Sequence, residues 1–423
     1  MNNISIKELK SKYGKLIENF LSLNVVQITN YVFPLITLPY ITRIITPDKF
    51  GLVYFAIALN FYFCMFTDFG FYSSGVIDIA KNRDSQKRLS GIFSAIMIIK
   101  LILIAIAFII LCVLILSFER FKEDWLIYIF SFGVVIGNTF YPNWFFQGIE
   151  HMKLITLLNF ISKFLSTMLI FVFLKQADDY MVIPILNSIG AIVATIIGIY
   201  IAIFKFKIQF HFPSWRELKY QFKYSFSFFI AQFSNSFATN SNSVFLGLIT
   251  NNTIVGYYIA AEKIYQALFN LSGPINLVMT PYMVKNKNLE FYKKVFWLVL
   301  ILALGILLFF LLFSKQIITI FYGISMLNAY KMLKIFGLLI FVIFLSMYIG
   351  LPLLGAYNHT KEVNLSTIIG SITHVLGLSL LFILHRFTPY SIIIMSILST
   401  TIILLIRIFY IKKFKIFTKR KGT

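Results

Sequence analysis

From residue 20 to residue 411 the chain is almost wholly apolar runs of 20 to 29 residues, and charges gather in the short breaks between them. No other feature limits the fold so tightly. An α-helix rises about 1.5 Å per residue and a bilayer core is about 30 Å thick, so about 20 apolar residues make one crossing. A membrane β-strand needs only about ten. The runs therefore read as helices, at 20–43, 51–79, 90–116, 125–147, 154–174, 181–204, 224–249, 255–283, 295–314, 329–355, 363–384 and 391–411. Composition points the same way: 59% of residues are hydrophobic, 13% are charged, and the 48 Phe outnumber the 38 Lys and Arg together. A soluble core of this length cannot hide so much apolar surface. The expected fold class is an all-α polytopic membrane protein of about twelve transmembrane helices, and not a soluble enzyme.

A net charge of +22 could signal nucleic acid, but its distribution has a simpler cause. The breaks on the N-terminal side of the membrane carry 25 Lys and Arg, among them Lys81, Arg83, Lys87, Arg88, Arg216 and the tail from Lys412 onward. The opposite breaks carry 7: Arg43, Lys49, Arg120, Lys122, Lys175, Lys315 and Arg386. Such asymmetry puts the first set, with both termini, in the cytoplasm, and no nucleic-acid partner is needed. The two cysteines, Cys64 and Cys112, lie inside apolar runs, so neither a disulfide framework nor a metal site is expected. The basic N-terminus leads into the first run without a small-residue cleavage site and reads as an uncleaved anchor.

Organisation follows from the longest cytoplasmic break. Residues 205–223 form an expected linker between an N-terminal lobe, 1–204, and a C-terminal lobe, 224–423, each with six spans. Residues 4–20 place Ile6, Leu9, Tyr13, Leu16, Ile17 and Phe20 on one helical face, as in a helix lying on the inner leaflet. Residues 213–223, around Trp215, Arg216 and Lys219, suggest another such helix. An internal echo supports the two halves: at an offset of 205 residues Gln27 matches Gln232, Asn30 matches Asn235, and Gly51 matches Gly256. Six-span repeats share orientation, related by an axis along the membrane normal.

Polar groups at bilayer depth are costly and face a bundle interior or water. In the seventh run Gln232, Asn235, Ser236, Thr239, Asn242 and Ser243 form a stripe at helical spacing, read as lining a central cavity in preference to helix–helix hydrogen bonding. Tyr258, Glu262, Gln266 and Asn270 continue the theme in the eighth, Gln27 and Asn30 in the first, and Asn60, Thr67, Asp68 and Asp78 in the second. His374 reads as a hydrogen-bonded packing residue. Lys100 and Lys163 lie about 15 Å into their spans, and Glu262 and Lys263 about 10–12 Å into theirs. A lysine so deep needs an anionic partner, and an anionic ligand would be one. Arg43, Lys331, Lys334 and Arg407 stand near span ends, where snorkelling accounts for them. No nucleotide-binding loop or metalloprotease motif occurs, and no break is long enough for a catalytic domain.

Four segments together resemble the O-antigen flippases (Wzx type) of the polysaccharide-transport branch of the MOP superfamily. They are Pro34-Leu-Ile-Thr-Leu-Pro-Tyr-Ile-Thr-Arg43 with Phe50-Gly51, Asp68-Phe-Gly-Phe71, Pro142-Asn-Trp-Phe-Phe-Gln-Gly-Ile-Glu150-His-Met152, and Gly256-Tyr-Tyr-Ile-Ala-Ala-Glu-Lys263. The resemblance covers the first eight spans; beyond residue 285 it rests on span count and the basic tail. It implies two lobes around a cationic central cavity, in a bacterial cytoplasmic (inner) membrane. It also implies an undecaprenyl-diphosphate-linked oligosaccharide carried to the periplasmic leaflet by alternating access. On that reading Lys100, Lys163 and Lys263 are candidates for the diphosphate. Gln27, Asn30, Gln232, Asn235, Thr239, Asn242 and Gln266 are candidates for the sugar. Glu262, then Asp68, are candidates for coupling to H+ or Na+. A polysaccharide polymerase and a chain-length regulator are possible partners, and no cofactor is expected. Two rivals remain: a multidrug or cation antiporter of the same superfamily, disfavoured by more buried Lys than acid, and a membrane polysaccharide polymerase, disfavoured by short periplasmic breaks.

Overall fold

The computed structural model describes residues 6–270 and 272–417, except the side chains of 6–21, 23, 24, 31, 234–240, 272–275 and 277. The amphipathic face expected over 4–20 lies outside the described side chains, as do Asn235 and Thr239. The described chain is helical: α1 (Ile6–Ile44), α2 (Pro47–Asp68), α3 (Phe71–Lys81), α4 (Gln86–Ser117), α5 (Glu119–Lys122), α6 (Trp125–Phe140), α7 (Asn143–Gly148) and α8 (Met152–Phe173) come first. Then follow α9 (Val182–Tyr200), α10 (Trp215–Ile249), α11 (Asn252–Asn270), α12 (Ser272–Asn286), α13 (Leu289–Tyr322), α14 (Ala329–Ile349), α15 (Thr360–Ile383) and α16 (Pro389–Lys413).

Among the described residues, 10 helical stretches are long and apolar enough to cross a membrane. They coincide with ten of the expected spans. The other two, 224–249 and 255–283, are helical as α10 to α12, and their polar side chains keep them below the apolar threshold. The chain is a multi-pass α-helical membrane protein.

Two compact units divide it, residues 1–45 with 53–236, and residues 46–52 with 237–423. In the first, α9 packs on α6 and α8, and α8 on α1. Hydroxyl-to-carbonyl bonds join these helices: Ser188 Oγ donates to Phe130 O at 2.7 Å and Thr195 Oγ1 to Gly137 O at 2.6 Å. The aromatic core of this unit comes from the Pro142–Met152 segment. Trp144, Phe145 and Phe146 are fully buried, and Phe93 meets Trp144 at 5.6 Å. Arg83 fastens the segment's end, donating to Gly148 O at 2.7 Å and pairing with Glu150 at 2.7 Å. The most specific motif in the sequence therefore builds packing.

Residues 205–223, expected as a linker, are part of the first unit. Gln86, Ser90 and Ser94 recur every four residues along α4 and so share one face. Gln86 Nε2 donates to Phe206 O (2.7 Å) and Lys207 O (2.9 Å), while the backbone N–H groups of Gln209 and His211 donate to Ser90 Oγ (3.0 Å) and Ser94 Oγ (3.2 Å). This polar ladder holds the segment as an extended run along α4, with Ile208 in the core. The first unit then continues along α10 to residue 236, beyond the expected lobe boundary.

In the second unit α14 packs on α11, α13 and α16, and α15 on α16. Residues 46–52 join it because α2 crosses α11 backbone to backbone. A Cβ on Gly51 would overlap the Asn252 carbonyl, and one on Gly256 would overlap the Pro47 carbonyl. The two glycines related by the internal echo meet each other.

Candidate functional site

Each unit holds a buried polar network at bilayer depth. In the first it is organised by a helix break. Phe69 (φ 49°) and Gly70 (φ 80°) take the left-handed conformation, which ends α2 and starts α3. Span 51–79, expected as one helix, is thus two. Gly70 is also required sterically, since a Cβ there would lie 2.7 Å from Ser225 O and Phe229 N of α10. Phe69 stacks on Phe222 and Phe229 at centroid distances of 4.5 and 4.9 Å, and Ser74 Oγ meets Ser225 Oγ at 2.7 Å.

The break presents Asp68 at the end of α2. Its Oδ2 accepts from the Tyr72 N–H at 3.4 Å, and its Oδ1 lies 3.5 Å from Lys100 Nζ of α4. The Lys100 side chain is 1% exposed and that of Asp68 22%. Two residues expected to act separately, one on a diphosphate and one in ion coupling, are a single ion pair. Lys100, expected to need an anionic partner, has one within the protein. The reason is topological: the helix break turns the Asp68 carboxylate toward α4. Around the pair, Thr139 Oγ1 donates to Thr67 Oγ1 at 2.7 Å, and Asn60 Nδ2 to Ser131 O at 2.8 Å. Lys163 and Asn30 are half-buried and Gln27 is exposed; Lys163 and Gln27 each have interaction partners.

In the second unit Glu262 of α11 accepts from Ser243 Oγ of α10 at 2.8 Å, with Tyr258 OH 3.5 Å from its other oxygen. Tyr258 is fully buried, and Tyr258 and Tyr265 pack on Phe336 of α14 at 5.6 and 4.8 Å, which fixes the face α11 turns inward. Lys263 Nζ lies 3.4 Å from Gln266 Oε1, a neutral partner one turn on. Asn242 donates to Ser396 Oγ at 3.2 Å, and its Oδ1 accepts from His374 Nε2 at 3.0 Å. His374 is thus a hydrogen-bonded packing residue. Asn242 and Ser243, expected to line a cavity, bond to α15, α16 and α11 instead, and Gln232 is half-buried.

One cation was placed wrongly from the sequence. Arg407 of α16 does not snorkel; it is 7% exposed. Its guanidinium donates to Ser346 O (2.6 Å), Ser346 Oγ (3.1 Å), Ser366 Oγ (3.0 Å) and Thr367 Oγ1 (3.1 Å). Distance from a span end gave no sign of this, because the acceptors come from α14 and α15. The available signal was the presence of small hydroxyl residues at those depths, Ser346 in α14 and the Ser366–Thr367 pair in α15.

Among the described residues, ten apolar helical stretches, with a buried ion pair in one unit and a hydrogen-bonded carboxylate in the other, define a multi-pass α-helical membrane protein. The family described as "Polysaccharide biosynthesis protein" matches residues 16–287, and the chain belongs to it. A curated relative from Escherichia coli (strain K12), named "Putative O-antigen transporter", is 33% identical over 264 residues, 62% of this chain and 63% of that protein. The matched stretch is thus less than two thirds of the relative's length. Two solved structures share the fold. An inward-facing multidrug resistance MATE family transporter of the MOP superfamily aligns over 95% of this chain and 100% of its own at a TM-score of 0.68 and 15% identity. The lipid II flippase MurJ, in an inward closed conformation, aligns over 94% of this chain and 87% of its own at 0.64 and 15%. At that identity the likeness concerns the fold alone, a polytopic helical one. Together with the transporter named among its relatives, it makes the chain a multi-pass inner-membrane protein.

Proposed function

We propose that this protein moves an undecaprenyl-diphosphate-linked oligosaccharide repeat unit from the cytoplasmic to the periplasmic leaflet, for O-antigen or a related surface polysaccharide. The observation that carries the reading is the family match over residues 16–287, reinforced by the Escherichia coli relative. The fold alone is shared with a multidrug transporter and a lipid flippase, so it does not choose between them. Transport proceeds by alternating access, each unit exposing its polar face first to one side and then to the other.

Within this reading the ion pair changes two roles. Lys100 is sealed, whereas Asp68 retains some exposure. A proton or sodium ion can reach the carboxylate, and by neutralising it would leave Lys100 without its counter-charge. Asp68 is therefore the coupling group of the first unit and Lys100 its positioning partner. Glu262, held by Ser243 and Tyr258, is the equivalent group of the second. The diphosphate falls to Lys163 and Lys263. Gln27, Asn30, Gln232, Asn235, Thr239 and Gln266 remain the candidates for the sugar hydroxyls. The polymerase and chain-length regulator are the protein partners that such an export step would serve.

The test is deletion of the gene in its host, with lipid-linked repeat units assayed on each membrane face. Accumulation on the cytoplasmic face, reversed by the wild-type gene and not by Glu262→Gln, is the expected result. Normal export in the deletion strain, with new sensitivity to organic cations, would replace this reading by a cation extruder.

A further inference from the structure

A cavity of about 610 Å³ lies within the first unit, among α3, the start of α4 and the start of α10, on the side that carries the basic breaks. Asp78 apart, its lining residues were not among those singled out for transport.

Two kinds of unmet demand converge on it. Deep in the wall, Gln221 is 3% exposed and its Nε2 donates to Asp78 Oδ2 at 2.9 Å. With the amide nitrogen turned to Asp78, the amide oxygen faces away from it. That oxygen is buried and has no hydrogen-bond partner among the described residues. It calls for a donor such as a hydroxyl.

Toward the mouth stand Lys87, Arg88 and Arg216, all exposed. Lys87 and Arg216 have neither a hydrogen bond nor an ion pair among the described residues, and Arg88 reaches only the neutral Asn82 Oδ1, at 3.1 Å. Of the two carboxylates present, Asp78 is committed to Gln221, and Glu217 to the N–H and Oγ of Ser214 at 2.7 and 2.8 Å. Three cations are left for an anion. Gly91, Ile92 and Ala95 supply an apolar wall.

Position identifies where the ligand comes from. Phe210, Phe212 and Trp215 interleave with the lining residues His211 and Arg216 and are strongly exposed, Trp215 at 79%. Exposed aromatics beside basic residues mark the level of the lipid head groups.

We propose that this cavity binds the head group of an inner-leaflet lipid that carries both phosphate and free hydroxyls. The phosphate sits among Lys87, Arg88 and Arg216, and a hydroxyl donates to the Gln221 amide oxygen. Two lipids offer that chemistry: an anionic glycerophospholipid, and the glycosyl diphosphate lipid of the proposed cargo. The second source rests on the function proposed above; the site itself does not.

Native mass spectrometry of the full chain in neutral detergent tests the site. The probes are phosphatidylglycerol, phosphatidic acid, phosphatidylcholine, undecaprenyl-diphosphate-linked monosaccharide and soluble glucose 1-phosphate. Saturable binding of one phosphatidylglycerol or one diphosphate lipid is expected, and whichever binds more tightly names the source. Each of Lys87→Gln and Arg216→Gln should weaken it about fivefold. Gln221→Leu should weaken phosphatidylglycerol and leave phosphatidic acid unchanged, which separates a lost hydroxyl contact from a damaged fold. Equal binding of phosphatidylcholine, or no loss in the Lys87→Gln/Arg216→Gln double variant, would overturn the site. Saturation by glucose 1-phosphate would overturn its lipid source. If the double variant loses the diphosphate lipid here yet still exports repeat units, the cavity is not the cargo's and the transport function stands.

Discussion

At the scale of single residues, buried charge in this protein is handled in two ways. Lys100 is neutralised by a carboxylate, and Arg407 is solvated by four neutral oxygens. Removing one member of a buried pair leaves an uncompensated charge, which costs about 3–5 kcal/mol, while removing both costs much less. Asp68→Asn should therefore destabilise the purified protein more than Asp68→Asn/Lys100→Gln does. Thermal unfolding of all four proteins of the cycle measures the coupling, and additive effects would mean that the 3.5 Å pair contributes nothing. Arg407→Leu strands three hydroxyl groups and a carbonyl, at about 1.5–3 kcal/mol for the charged hydrogen bonds lost. Arg407→Lys should recover only part of it, because an ammonium cannot reproduce the planar fork. These residues also show the reach of sequence reasoning. Depth along a helix flagged Lys100, Glu262 and Lys263 correctly as buried or half-buried charges. It could not say that Asp68 would be turned toward Lys100, nor that α14 and α15 would supply acceptors for Arg407, because helical spacing describes one helix and partner choice involves several.

At the scale of elements, crossings and breaks carry the organisation. The α2–α11 crossing joins Gly51 to Gly256, and neither has room for a methyl group. Gly256→Ala is expected to cost about 1–3 kcal/mol by overpacking, and Gly256→Leu to prevent stable insertion. Yield of folded, detergent-soluble protein reports both, and wild-type yield for the Leu variant would show that the backbones do not cross so closely. The start of α10 is a different device. Ser214 and Glu217 form a reciprocal cap, and the hydroxyl and N–H of Ser214 hold the Glu217 carboxyl below its ordinary range. A depressed folded value means that this stabilisation is complete above the unfolded carboxylate range and is lost as pH falls through the folded value. Hydrogen exchange over residues 215–220, taken relative to the intrinsic rate at each pH, should accelerate once pH falls below the ordinary carboxylate range. Ser214→Ala, worth about 1 kcal/mol, should accelerate it at neutral pH too. Element positions were largely legible, because a crossing helix must be long and apolar. The break inside span 51–79 was not, although Gly70 stood in view: a single glycine within an apolar run signals a break only once the neighbouring helix is known to press against it.

At the scale of the whole molecule, orientation follows from charge. Lysine and arginine resist translocation, so the 25 basic residues in one set of breaks, against 7 in the other, predict that set in the cytoplasm. The structure adds that the breaks with few basic residues are short and structured; Asp179, between α8 and α9, accepts from the Lys175 and Gln176 N–H groups at 3.0 Å. Membrane-impermeant thiol labelling settles the orientation. Cys64 and Cys112 lie in α2 and α4 and are replaced first. Single cysteines then replace exposed residues: Asp84 and Lys287 on the basic side, Asp178, Asn251 and Thr388 on the other. In intact spheroplasts Asp178→Cys, Asn251→Cys and Thr388→Cys should label, while Asp84→Cys and Lys287→Cys should label only after permeabilisation. Two outcomes would be damaging in different ways. A full inversion would leave every helix in place but turn the Lys87–Arg88–Arg216 cavity toward the periplasm, away from any inner-leaflet head group. Labelling of Asn251 from the cytoplasmic side alone would instead remove α10 from the set of crossing helices. Position 251 lies between the two expected crossings, 224–249 and 255–283, whose polar side chains make them the least apolar, so it is the most informative of the five.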